Sequence, residues 1–176
     1  MVHLRNEMEI IKYSEINKET KSQLGNFIDG EFGHIPIVKA TEWAMPNWTI
    51  ILYKNNEIAT FYNIVERKIL VDDVEAKIAG VNNVITPKKF RGNGYASKVL
   101  RETEGFIFDD LKSELGVLLC ADALIPFYER MNWYKVDCPV YFEQSDGKKL
   151  WKANTMLLTK KNKLNPKKID LNGLPW

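Results

Sequence analysis

One segment limits what this chain can fold into more than any other: residues 84–100, Val-Ile-Thr-Pro-Lys-Lys-Phe-Arg-Gly-Asn-Gly-Tyr-Ala-Ser-Lys-Val-Leu. A strand-like apolar pattern stops at Pro87, which has no N–H to continue a ladder. Lys88, Lys89 and Arg91 follow, then Gly92 and Gly94, then helical spacing from Tyr95 to about Leu111 with Val99, Leu100, Phe106 and Ile107 on one stripe. A helix start presents free N–H groups and partial positive charge, and the glycines let a ligand approach the backbone. The combination favours a pyrophosphate. A nucleoside-triphosphate loop would need glycine before Lys98, where Ser97 stands, and a dinucleotide fingerprint would need its third glycine at that same serine.

The surrounding pattern restricts the topology further. Residues 48–54, 58–70 and 76–86 read as three strands joined by Asn55-Asn56 and Asp72-Asp73, connections too short for anything but antiparallel hairpins. Residues 115–120 form a short apolar strand after the helix, so strand, helix and strand make a parallel crossover. Upstream, residues 9–13 are a short strand, and Asn17 caps a helix to about Glu31 with Leu24, Phe27 and Ile28 on one face. Residues 32–46 read as loop plus a short helix. Downstream, residues 125–132 read as a short helix with Pro126 near its start, and residues 133–142 and 150–159 as one hairpin around Ser145-Asp146-Gly147-Lys148.

At 176 residues with 45% hydrophobic and 11% aromatic content, the chain is one domain's worth with a sizeable core. A net charge of +2 does not suit a nucleic-acid partner, and no apolar run reaches membrane-span length. Residues 1–11 carry Arg5, Glu7 and Glu9, unlike a signal peptide. Cys120 and Cys138 read as reduced structural thiols of a cytoplasmic protein, and with only His3 and His34 no metal site is expected.

Arg91-Gly-Asn-Gly94-Tyr-Ala96 resembles the Arg/Gln-x-x-Gly-x-Gly/Ala loop of the GNAT acetyltransferases, and Ile125-Pro-Phe-Tyr-Glu-Arg-Met-Asn-Trp133 is similar to that family's Phe-Tyr-x-x-x-Gly-Phe/Trp segment, with Asn132 in place of glycine. The resemblance covers roughly residues 8–160. It implies an α/β (α+β) GNAT fold: a mixed, mostly antiparallel twisted sheet, helices on both faces, and a central parallel strand pair splayed between Thr86 and Cys120. It implies a domain over 1–160, with residues 161–176 as a tail packed on it. Within the superfamily the chain looks most like aminoglycoside 2′-N-acetyltransferases, through Glu15-Ile-Asn-Lys-Glu-Thr, Glu42-Trp43, the loop, the Tyr128-to-Trp133 segment, Asp146-Gly147 and a terminal tryptophan. Asn82 stands where those enzymes carry a glutamate.

The implied activity is transfer of an acetyl group from acetyl-CoA to a primary amine of a small molecule (aminosugar, polyamine or amino-acid derivative) in a ternary complex. Arg91, Gly92, Asn93, Gly94, Tyr95 and Ala96 would bind the pyrophosphate, and Val84, Ile85, Thr86 and Phe127 the rest of the cofactor. Tyr128 would protonate the leaving thiolate, the Val84 backbone N–H would meet the oxyanion, and Asn82 or Asn83 would hold a water that relays the amine's proton. Glu42, Asp146 and Trp176 are the substrate-side candidates. The cluster of lysines from 160 to 168 is either a contact for the CoA 3′-phosphate or a solvated tail. Two other readings stand beside this one, a protein or peptide N-acetyltransferase and a non-catalytic acyl-CoA sensor. No nucleic-acid or membrane partner is expected, and a homodimer is compatible with the resemblance.

Overall fold

The computed structural model describes residues 7–176. The reading of residues 1–11 as unlike a signal peptide rests in part on residues 1–6, which lie outside those described. The chain runs β1 (Glu7–Lys12), α1 (Lys18–Phe32), α2 (Pro36–Ala40), β2 (Trp48–Lys54), β3 (Glu57–Val71), β4 (Val74–Ile85), α3 (Tyr95–Glu102), β5 (Leu115–Cys120), α4 (Ile125–Glu129), β6 (Tyr134–Val136), β7 (Val140–Gln144), β8 (Gly147–Leu150), β9 (Asn154–Thr159) and β10 (Ile169–Asp170). The strands form one mixed sheet in the order β6-β9-β5-β4-β3-β10-β7-β8, with β2 and then β1 added beside β3. The expected α/β architecture is therefore present.

β3 organises the sheet because it is fifteen residues long and is shared along one edge by two partners. β2 pairs with its first half and β10 with its last two residues, while β4 runs antiparallel along the other edge. The hairpin turns use left-handed Asn55, Asn56, Asp72 and Asp73, with φ of 53°, 64°, 51° and 67°; Asn and Asp tolerate that region better than other side chains. β4 then pairs with β5 in parallel, as the crossover requires.

Alternation along the strands divides the core by face. Ile50, Leu52, Tyr62, Ile64, Ala79, Val81 and Leu118 point toward α3 and α4, where they meet Val99, Leu100, Tyr128 and Trp133. On the opposite face, Ile51, Phe61 and Ile85 pack on α1 through Leu24, Phe27 and Ile28. Asn17 caps α1 by accepting from the Thr20 N–H at 2.8 Å.

Three elements depart from the sequence reading. The helix expected to about Leu111 is α-helical only to Glu102. The buried Thr103 hydroxyl bonds back to the Val99 carbonyl at 2.6 Å and also meets the Tyr62 hydroxyl. A π turn over Phe106–Asp110 continues the coil, and this wider turn keeps Ile107 and Phe108 inside while Phe106 stands edge-on to Trp48 at 5.2 Å. The single hairpin expected from 133 to 159 is two pairs, β6 with β9 and β7 with β8. Pro139 interrupts it, having no N–H for the ladder and forcing its predecessor out of line.

The third departure is the tail. β10 enters the sheet itself, antiparallel to β3 and parallel to β7, with Ile169 and Leu171 fully buried. Beyond it the chain turns at Gly173, φ 149°, against the Arg67 guanidinium, which donates to the carbonyls of Leu171 (3.1 Å) and Leu174 (2.6 Å). Burial lowers the pKa of Arg67 from its ordinary value. Trp176 is 3% exposed; its indole N–H donates to the Val117 carbonyl at 3.2 Å, and Arg67 lies 5.6 Å from its ring centroid.

The indole lies flat on Gly80, so close that a Cβ added there would fall 2.3 Å from a ring carbon. Gly80→Ala should therefore destabilise the protein by about 1–3 kcal/mol through overpacking, read as a lowered urea midpoint. The same substitution made in a Trp176→Ala background should cost much less, because the clashing ring is gone; equal costs in both backgrounds would disprove the contact.

Candidate active site

The paired register of β4 and β5 runs from Ile78 opposite Leu115 to Val81 opposite Leu118 and ends there. Each strand continues with another partner: β5 stays on β9 as far as Cys120 opposite Asn154, and β4 stays on β3 until Ile85 opposite Phe61. Neither can follow the other, so a gap opens between their C-terminal ends. A bulge helps to open it. Between Asn82 and Ile85 β4 advances three residues while β3 advances two, and Asn83 takes a left-handed φ of 51°.

Val84 falls in the bulge and has no Cα partner in the β3–β4 register. Its side chain packs toward α3, whereas that of Ile85 is buried against α1. The Thr60 hydroxyl occupies the Ile85 carbonyl at 3.0 Å and also meets the Thr86 hydroxyl at 3.0 Å. Asn82, one residue past the last β4–β5 pair, has a buried amide oxygen with no hydrogen-bond partner among the described residues.

The loop leaving β4 turns through Lys88–Phe90 and reaches α3 with Gly92 and Gly94 at φ of 78° and 73°. Nothing lies within 4 Å of where a Cβ would sit on either glycine. The amides of Gly92, Asn93, Gly94, Tyr95 and Ala96 donate to no protein acceptor among the described residues, as first-turn amides cannot bond within their own helix. The Asn93 side chain donates to the carbonyls of Phe90 (3.0 Å) and Arg91 (3.2 Å), fixing the loop. Arg91 donates to the Thr86 carbonyl (2.9 Å) and to Glu31 of α1 (2.8 Å). Glu31 is a partner the sequence reading did not single out, because the pair spans sixty residues and only folding joins it.

Tyr128 is 6% exposed and stands edge-on to Phe127 (5.0 Å) and Trp133 (6.2 Å). Its hydroxyl makes no hydrogen bond among the described residues. Burial, followed by the charge of Cys120, raises its pKa, so the phenol stays protonated. Cys120 ends β5, and burial, followed by Asp122, pushes its thiol up to about 11. Asn154 donates to Asp122 at 2.7 Å and to the Cys120 carbonyl at 3.3 Å. Neither Asp122 nor Asn154 follows from sequence spacing, since their meeting depends on the β5–β9 register.

The substrate-side candidates lie on neighbouring segments, with the Ala44 N–H donating to the Pro175 carbonyl at 2.8 Å. Glu42 is exposed, and its main chain is clamped by Gln144 (2.9 and 3.0 Å). Asp146 sits in the β7–β8 turn paired with Lys149 at 2.7 Å, a contact that lowers its pKa. Trp176 is buried beneath the β4–β5 seam rather than open to a ligand. The lysine cluster lies at the far end of the sheet from the glycine loop, with Lys160 on Asp109 and Lys168 on Asp73. Among the described residues no group of His, Cys, Asp and Glu side chains is gathered for a metal, and no helix is long and apolar enough to cross a membrane.

The protein-family model described as "Acetyltransferase (GNAT) domain" matches residues 19–136. No curated protein matches the chain. Among solved structures, the fold is similar to that of ElaA from Escherichia coli, with a TM-score of 0.62, 16% identity, and coverage of 87% of this chain and 99% of that one. It is also similar to YhbS, a GNAT family N-acetyltransferase from Escherichia coli solved with CoA (TM-score 0.59, 11% identity, coverage 96% and 91%). A GNAT family acetyltransferase from Brucella melitensis solved with acetyl-CoA gives a TM-score of 0.57 at 11% identity, with coverage of 94% and 96%.

The Cys120 environment has a consequence for stability. Burial pushes its thiol up from an ordinary 9.0 to about 11. Between those values the unfolded chain has lost the proton and the native state keeps it, so stability falls as pH rises through the window. Cys138 and Tyr128, both raised, act in the same direction. Cys120→Ala should make the fall of Tm between pH 9 and 11 shallower; a slope equal to the wild type would show that the thiol is not desolvated.

Proposed function

This chain belongs to the GNAT acetyltransferase family, and on that premise we propose that it is an N-acetyltransferase moving an acetyl group from acetyl-CoA to a primary amine of a small molecule. The observation that carries the reading is the strand gap placed beside a loop of unpaired amides. Such amides, with the cations of Lys88 and Arg91, suit a pyrophosphate. The open space above Gly92 and Gly94 admits it. Arg91 holds Glu31 through side chains 47% and 41% exposed, a weak surface pair that a phosphate can replace at little cost. The structures of YhbS and the Brucella protein hold CoA and acetyl-CoA, which supports the same ligand here.

Pantetheine would lie in the gap, bonding the main chain of Val84 and Thr86 as a short strand would. Acetyl-CoA supplies an activated thioester: the amine nitrogen bonds the carbonyl carbon, the C–S bond breaks, the amine gives up one proton and the sulfur takes one. The Val84 amide, in the bulge of β4, would donate to the oxyanion. Tyr128 would donate to the departing sulfur. Its raised pKa makes it a positioned hydrogen-bond donor rather than a strong acid. The unpaired Asn82 oxygen would hold a water in the path of the amine's proton. Glu42 and Asp146 add negative charge outside the site, and Trp176 supports the sheet beneath it.

Calorimetry with CoA and thiol-release kinetics with acetyl-CoA and an amine panel test these roles. Gly94→Asp places a side chain at φ 73° and a carboxylate against the phosphates, and should abolish CoA binding. Unchanged binding in that variant would refute the loop assignment. Tyr128→Phe should lower kcat by about 10²-fold with the CoA affinity retained; full turnover in this variant would leave Tyr128 a packing residue.

A further inference from the structure

β5 ends at Cys120, on the border of the gap, and the next two residues, Ala121 and Asp122, line a separate cavity of about 570 Å³. Asp137, Trp151, Lys152, Asn154 and Thr155 line it too. Its position joins the strand end that borders the acyl site to the connections following β6 and β8.

The lining is chemically specific. Asp122 is held in place by Asn154, which is 9% exposed and donates to it at 2.7 Å. Asp137 is paired with Lys135 at 3.1 Å, whereas Asp122 and Lys152 make no ion pair among the described residues. The cavity thus presents one uncommitted anion and one uncommitted cation. Thr155, 2% exposed, contributes a buried hydroxyl with no hydrogen-bond partner, the kind of group that a bound polar ligand would satisfy. Trp151 supplies a flat wall, its indole N–H bonded to the Asn154 carbonyl at 3.3 Å. Asp122 also acts on the Cys120 thiol, and Cys120 in turn on Tyr128, so the carboxylate, the strand end and the phenol lie within electrostatic reach of one another.

We propose that Asp122 captures the acceptor by pairing with its ammonium at the rim of this cavity, and that the acceptor is a small primary amine carrying hydroxyl or carboxylate groups that meet Lys152 and Thr155. The inference rests on the acetyl-CoA reading above. A polyamine fits the same space poorly, because its further cations would face Lys152.

The test is calorimetric titration of glucosamine, L-lysine and spermidine into the protein saturated with CoA, followed by thiol-release kinetics with acetyl-CoA. Glucosamine or lysine should bind the wild-type complex. Asp122→Asn keeps an oxygen for Asn154 and so preserves the fold, but should weaken that binding by about tenfold or more and raise the amine KM by a similar factor. The KM for acetyl-CoA should stay put. Asp109→Asn, at the other end of the sheet, is the control and should change neither. Unchanged amine affinity in Asp122→Asn overturns the assignment, as does a wild-type complex that binds only spermidine or none of the three. Those outcomes leave the acetyl-CoA reading standing, whereas a wild type that does not bind CoA removes that reading and the inference with it.

Discussion

The parallel seam between β4 and β5 closes over four residue pairs and then stops, and the placement of every other part of the site depends on where it stops. Its end follows from competing pairings. β9 holds β5 straight to Cys120, and β3 holds β4 to Ile85 across a bulge at Asn83. Both strands keep their outer hydrogen bonds while their inner edges separate. Main-chain donors and acceptors left on such edges are a template for an extended ligand. The helix that follows β4 starts at the same end, so its free amides lie at the gap's mouth, and α4 brings Tyr128 to the β5 side.

The same stretch of the seam is held from the face away from α3. Trp176 lies on Gly80 and bonds the Val117 carbonyl, one pair before the seam ends. Arg67 clamps the tail's carbonyls over it, a half-buried guanidinium whose Nη1 donates to the Leu171 and Leu174 carbonyls. Burying a side chain of this size contributes roughly 1.5–3 kcal/mol, enough to matter in a domain of ordinary stability. The tail is in this sense part of the sheet: β10 fills the edge of β3 that β2 leaves open and carries β7 beside it.

Charge around the loop is arranged to be exchanged. Lys89 pairs with Glu57 and Arg91 with Glu31, each through exposed side chains. Pairs of this kind contribute about 0–1 kcal/mol, less than a bound phosphate returns through charge-assisted bonds. The Asp122 carboxylate and the Cys120 thiol are different, because they are held at the end of β5, where Asn154 of β9 bonds both the Asp122 side chain and the Cys120 carbonyl.

What the sequence determined by itself was whatever local chemistry dictates. Period-two apolar runs gave the strands β2 to β5; Asn and Asp at turn positions gave the hairpins; Asn17 gave the start of α1; and Pro87 with Gly92 and Gly94 gave the loop and the start of α3. Those place the hairpins, the crossover and the loop, while the GNAT architecture was implied by the resemblance of residues 91–96 and 125–133 to that family's segments. The tertiary structure decided what depends on distant partners. Thr103 ended α3 early because Tyr62, forty-one residues away, lies opposite its hydroxyl. Pro139 broke a hairpin that periodicity alone allowed, since β7 found its second partner in β10. Trp176 reads in sequence as a substrate-side candidate and proves to be buried, because only the fold places it against a residue without a side chain. Asp122 and Asn154 meet through a strand register that no spacing within thirty-two residues encodes. Local patterns are set by sterics and hydrogen bonding within a few residues, whereas a site made from strand ends is set by which strands pair and where their pairing stops.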